Sequence, residues 1–99
     1  MRMMMKVIVP VDAGNRAIED GSLAKTMMGF IDQHKPEAAY FVAEGGKRTA
    51  LFVFDLKDAT FIPLVAEPFF MHLDAEVHCT PAMNPADLKT GLERLAAHK

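Results

Sequence analysis

Residues with the types and spacing for chemistry are sparse in this chain, and the densest set is Asp74, Glu76, His78 and Thr80. On a strand that begins at Asp74, all four fall on one face. Glu76 and His78 would then offer an oxygen and an imidazole to a metal ion. No neighbouring His or Cys completes a known ligand spacing, so no metal is expected. The plainer reading is a polar edge-strand face, with Glu76 pairing Lys6 on the next strand. His78 and Cys79 suggest a base beside a thiol nucleophile. Consecutive strand side chains point to opposite faces, which separates the two and leaves Cys79 with Val77 as buried packing.

Four more residues are candidates for holding a ligand. Tyr40, the single tyrosine, could orient a ligand or supply a proton, against the plainer reading of a packed ring with a satisfied hydroxyl. Arg48, with Lys47 and Glu44, could grip a carboxylate at a hairpin tip, although such a trio is more often a solvated turn. Glu67 precedes Pro68 at an expected helix break, where it could meet freed backbone groups or act in acid–base chemistry. His72 stands at a helix end. Together with His78, these make Tyr40, Arg48, Glu67 and His72 the expected ligand-binding set. No catalytic residue is identified, and no cofactor motif is present.

The elements that must position them are clearer. Ala39 to Ala43 and Ala50 to Phe54 flank Gly45-Gly46-Lys47 and read as a hairpin. One face carries Ala39, Phe41, Ala43, Ala50, Phe52 and Phe54; the other carries Tyr40, Val42, Leu51 and Val53. A sheet with one wet side alternates apolar and polar residues; this hairpin does not, so both faces need cover. Residues 3–12 read as the first strand, ending at Ala13-Gly14. Asn15 is placed to cap a helix over 16–34, whose stripe is Ala17, Gly21, Ala24, Met28 and Ile31. Gly21-Ser22 is its weak link, where a second helical segment could start, and Pro36 closes it. Thr60 is placed to cap a helix from Phe61 to about His72, with a kink or division at Pro68. Residues 75–80 form a fourth strand. Asn84-Pro85-Ala86-Asp87 opens a last helix that turns Leu88, Leu92, Leu95 and Ala96 inward, with His98 and Lys99 at its negative end.

At 99 residues, 51% apolar and net charge −2, the chain is one globular domain spanning 1–99. The mild acidity argues against a nucleic-acid partner. The order of elements matches that of the RNA-recognition module, yet Thr49, Ala50 and Leu51 stand where its third-strand motif needs a glycine, a stacking aromatic and a small residue. Met1 to Val11 is a strand rather than a leader, because Lys6 interrupts it and no small-residue cleavage site follows. No apolar run reaches the roughly 18 to 20 residues that span a bilayer, and a single cysteine suits a reducing compartment. A cytoplasmic protein without a membrane partner is expected.

The order β-α-β-β-α-β-α, with short connections and right-handed crossovers, predicts an α+β, ferredoxin-like βαββαβ fold with an added C-terminal helix and a four-stranded antiparallel sheet ordered 4-1-3-2. Helices then cover one sheet face, and a second copy, packed sheet to sheet, covers the other.

Gly14-Asn15, Pro36 to Phe41, Gly46 with Arg48-Thr49-Ala50, Glu67-Pro68-Phe69-Phe70, and Pro81-Ala82-Met83 with Asp87-Leu88 form a recurring set. Through them the chain resembles, over nearly its whole length, an uncharacterised bacterial group of the dimeric α/β-barrel superfamily. The resemblance implies a homodimer with a ligand cleft in each subunit, and a superfamily that includes cofactor-free monooxygenases and isomerases. The expected function is binding of a small organic molecule between sheet and helices, with catalysis of the cofactor-free monooxygenase or isomerase kind as its enzymatic form. The competing expectation is a non-enzymatic homodimer. Filling of the helix-to-sheet space by Met28, Ile31, Phe52 and Phe69 would count against an enzyme.

Overall fold

Alternation of large apolar residues on β1 (Arg2–Val9) and β3 (Lys47–Asp55) places the core on one side of a four-stranded antiparallel sheet, ordered β2-β3-β1-β4. The computed structural model describes residues 1–98. Between β1 and the hairpin partner β2 (Ala38–Glu44) lie helices α1 (Val11–Asp20) and α2 (Ser22–His34). After β3 come a 3-10 turn (Ala59–Phe61), α3 (Ile62–Leu73), β4 (Glu76–Pro81) and α4 (Pro85–Ala97). The result is an α+β protein whose strand order is the one the connections predict.

The hairpin has the expected register. Gly45 and Gly46, at φ of 59° and 76°, form a two-residue turn that opposes Ala39 to Phe52 and Tyr40 to Leu51. Met5, Val7, Val9, Ala50 and Phe52 are wholly buried beneath the helices. Phe30 of α2 lies with its ring centroid 4.5 Å from Phe52 and 5.6 Å from Phe69 of α3. These aromatic rings fill the helix-to-sheet space.

Several local expectations need correction. β1 ends at Val9 because Pro10 has no N–H to continue the ladder, and α1 starts at once from Pro10. Asn15 therefore sits within α1 and caps nothing. Gly21, at φ 83°, ends α1, and α2 restarts at Ser22 in a new phase. Met27 and Phe30 face the core instead of Ala24 and Met28, and Met28 is left 53% exposed. Asp58 caps the 3-10 turn by accepting from the backbone N–H of Thr60 (2.8 Å), so Thr60 lies inside the turn. α3 runs unbroken through Pro68. Cys79 points to the helix side but is exposed, since β4 is an edge strand that the helices do not fully cover. Partial desolvation still holds its thiol above the ordinary value. Lys6 pairs Glu44 (2.7 Å), and Glu76 lies 3.5 Å from His78 instead.

The largest departure is α4. Asn84 and Asp87 form a full capping box at its start, but none of its residues is buried. Leu88, Leu92 and Leu95, expected inside, are 47%, 54% and 66% exposed. The molecule measures 56 × 27 × 18 Å with a radius of gyration of 15.8 Å, against about 13 Å for a compact chain of this size. Propensity and capping form the helix, while no surface of its own chain receives its apolar side. Lys99, expected at its negative end, lies outside the described residues.

The sheet face opposite the core has no covering layer. Met4, Tyr40 and Val42 there are 40%, 67% and 44% exposed, beside half-buried Leu51, Val53 and Ile8. Among the described residues, no helix is long and apolar enough to cross a membrane.

Candidate functional site

Two helix faces with i, i+3, i+4 spacing build the best-formed concavity. Lys25, Thr26, Gly29, Phe30, Gln33 and His34 line it from α2; Leu64, Val65, Pro68, Phe69 and His72 line it from α3. The groove encloses about 350 Å³. Its floor is apolar, because Phe30, Val65 and Phe69 are the same side chains that close the core. Polar groups stand on its walls: the Lys25 ammonium, the Thr26 hydroxyl, the Gln33 amide and the two imidazoles. Gly29 keeps the α2 wall open, since a Cβ there would meet nothing within 4 Å.

His34 is half-buried against aromatic rings, 4.8 Å from Phe30 and 6.3 Å from Phe54 by centroid. Desolvation lowers its pKa below the ordinary imidazole value, so near neutral pH it is uncharged and offers one acceptor and one donor nitrogen. Pro68 contributes in a second way. Having no N–H, it leaves the carbonyl of Leu64 without its helical donor. Both residues line the groove. An apolar floor, one cation and a neutral imidazole suit a flat organic molecule with a polar or anionic edge.

Of the five expected ligand-binding residues, only His72 belongs to this groove. Arg48 lies at the end of β3, where it donates from Nη2 to Asn15 Oδ1 (3.1 Å) and borders a separate apolar groove with Leu23, Met27 and Phe41. Tyr40 and His78 are on the uncovered sheet face, in a cross-strand row Tyr40–Leu51–Lys6–His78. Glu67 is exposed on α3 and lines none of these grooves. Asp74 caps α3 in a left-handed conformation and lies 3.9 Å from Arg16, off the Glu76–His78–Thr80 face. The five residues thus divide among four places instead of converging between sheet and helices. That space is packed by Met27, Phe30, Phe52 and Phe69; Phe52 and Phe69 were the two of the expected fillers that are fully buried.

The residues that reading the sequence missed are Lys25, Thr26, Gln33 and His34. Their signal was present as one face of α2, but it became visible only with the helix phase that Gly21 resets. Among the described residues, no group of three His, Cys, Asp or Glu side chains could hold a metal ion. No family model, curated protein or solved structure matches the chain.

Proposed function

We propose that the protein is a homodimer that binds a small organic molecule in the groove between α2 and α3. The observation that carries the ligand reading is the groove itself, about 350 Å³ with an aromatic floor and with Lys25, His34 and His72 on its walls. That volume lies at the low end of small-molecule sites, which fits a ligand of about one or two rings. The proposal places the ligand on the outer side of the helix layer, because the helix-to-sheet space is occupied by side chains.

The test uses 1-anilinonaphthalene-8-sulfonate and a set of aromatic carboxylates, titrated into ¹⁵N-labelled protein. Shifts of the Lys25, Gly29 and His72 amides are expected. Gly29→Leu projects into the groove from a position where a Cβ meets nothing within 4 Å, and should reduce affinity at least tenfold with the remaining spectrum unchanged. Shifts confined to other surfaces, or undiminished affinity in Gly29→Leu, would overturn the ligand reading.

The dimer reading rests on the uncovered sheet face, where Met4, Tyr40 and Val42 remain substantially exposed. Exposed apolar side chains grouped on one sheet face support an interaction site there. Sedimentation equilibrium at micromolar concentration should give twice the chain mass, and Leu51→Glu should give the monomer mass. A monomeric native protein would end this reading.

A further inference from the structure

We infer that two copies of the chain pair antiparallel through β2, joining their sheets edge to edge about a two-fold axis at Phe41. This contact is separate from the sheet-to-sheet dimer proposed above and leaves the uncovered faces free for it.

The hairpin decides which backbone groups β2 turns outward. Gly45 and Gly46 form a two-residue turn, so the flanking pair Glu44–Lys47 exchanges both its hydrogen bonds. Such pairs recur at every second residue, which commits Val42 to Thr49, Tyr40 to Leu51 and Ala38 to Val53. The N–H and C=O groups of Ala39, Phe41 and Ala43 therefore point away from β3. The same alternation crosses the sheet: Leu56 donates to the Met1 carbonyl (2.8 Å) and Ala82 to that of Arg2 (3.1 Å). On the opposite edge it turns Val77, Cys79 and Pro81 outward.

The two edges differ in protection. Pro81 has no N–H to offer, and Glu76 and His78 place polar side chains along β4. Between Ala38 and Ala43, β2 has neither proline nor charge. Its Tyr40, Phe41 and Val42 are exposed on both sides of the strand. An open apolar edge of this kind is a template for a further strand.

That strand is best supplied by a second copy, because β2 is its own complement. Of the antiparallel registers that set outward groups against outward groups, the one centred on Phe41 uses all three outward residues. Phe41 then faces its own counterpart, and Ala39 faces Ala43 of the other copy, each pair exchanging two hydrogen bonds. On the helix side the two Phe41 rings are flanked by alanines and by the apolar groove of each copy, of about 410 Å³, with Leu23 and Met27. On the uncovered side Tyr40 faces Val42 of the other copy, an aromatic pair with a β-branched residue of the kind that stabilises sheets. No like charges oppose one another within this stretch, and the flanking Glu37 and Glu44 are each paired in their own chain, with Arg2 and Lys6. The two-fold axis closes the assembly, and Pro81 discourages growth from the other edge. Joining one strand of seven residues buries far less than the roughly 800 Å² per partner of a standard interface. Edge pairing is therefore the weaker contact and forms well above micromolar concentration.

The experiment follows amide hydrogen exchange by NMR in the full chain at micromolar and at millimolar concentration. Protection of the Ala39, Phe41 and Ala43 amides should rise at least tenfold with concentration, while Tyr40 and Val42, already bonded to β3, should not change. Ala43→Pro removes an outward N–H and no bond to β3; it should abolish the rise at Ala39 and Phe41, and Ala43→Val should keep it. Register is read by disulfide formation in a glutathione buffer, in a Cys79→Ser background. Phe41→Cys should link two chains. Ala39→Cys should not, because it and its counterpart lie about 13 Å apart along the strands, beyond disulfide reach. Exchange that ignores concentration, protection gained at Val77 and Cys79 instead, or equal linkage of both cysteine variants overturns the edge pairing. The same measurements in Leu51→Glu, which lacks the sheet-to-sheet contact, let the two interfaces fail separately. A rise that survives there upholds the edge whatever the fate of the face, and a rise lost there overturns it.

Discussion

Arg48 lies across Gly14. A Cβ at Gly14 would come within 2.6 Å of Arg48 Nη1 and 3.3 Å of the Val9 side chain. The glycine thus lets a guanidinium lie against α1 and donate to Asn15. Two opposing effects meet in Gly14→Ala: about 1 kcal/mol gained in helix propensity, and about 0.5–1.5 kcal/mol lost if the Arg48 hydrogen bond breaks. The single change should shift stability by less than about 1 kcal/mol, whereas in an Arg48→Ala background it should stabilise by roughly that amount. Urea unfolding of the four-member cycle measures the coupling, and a coupling of zero would mean that the two residues do not interact.

Phe52 and Leu92 test the division between the core and α4. Phe52 is fully buried beside Phe30 and Phe69, so Phe52→Ala should cost about 3–5 kcal/mol. Leu92 is 54% exposed, so Leu92→Ala should change the stability of the dilute, monomeric chain by less than about 0.5 kcal/mol. Denaturant midpoints below the dimer dissociation constant give both values. A large loss for Leu92→Ala under those conditions would show α4 packed on its own chain.

Pro68 sits inside α3 at a cost to that helix. Pro68→Ala supplies the donor missing at the Leu64 carbonyl and should raise stability by about 1–3 kcal/mol. For a domain of this size each kcal/mol is worth about 4–8 °C in Tm, which calorimetry resolves easily. An unchanged or lowered Tm would show that the carbonyl is already satisfied.

The lowered pKa of His34 sets a pH dependence with a definite sign. Desolvation makes the folded chain bind its proton less readily than the unfolded chain does. Stability is therefore complete above the ordinary imidazole value of about 6.5 and declines as pH falls below it. His34→Gln should flatten this part of the curve. The lowered carboxylates Asp20 and Asp58, hydrogen-bonded by Ser22 and Thr60, act only in a more acidic window. Urea midpoints from pH 8 to pH 4 separate the two, and an equal slope in wild type and His34→Gln between pH 7 and 5 would refute the assignment.

Alternation along the hairpin and β1 is a property of the chain, since successive strand side chains must take opposite faces. Together with Gly45-Gly46 it determined the register, the buried set Ala50, Phe52 and Phe54, and the second apolar face. The Asn84–Asp87 capping box was equally local, because a cap needs only residues three apart. Helix phase was less legible: one left-handed glycine at Gly21 rotated the stripe of α2 from Met28 to Met27. The candidate site was hardest to see, because a groove belongs to two elements at once. His34 and His72 meet only when α2 packs on α3, and no spacing along the chain encodes that meeting. The same holds for Leu88, Leu92 and Leu95. Their periodicity established an amphipathic helix, but which surface its apolar side faces depends on what lies within reach. Tertiary structure alone carried α4 away from its own core.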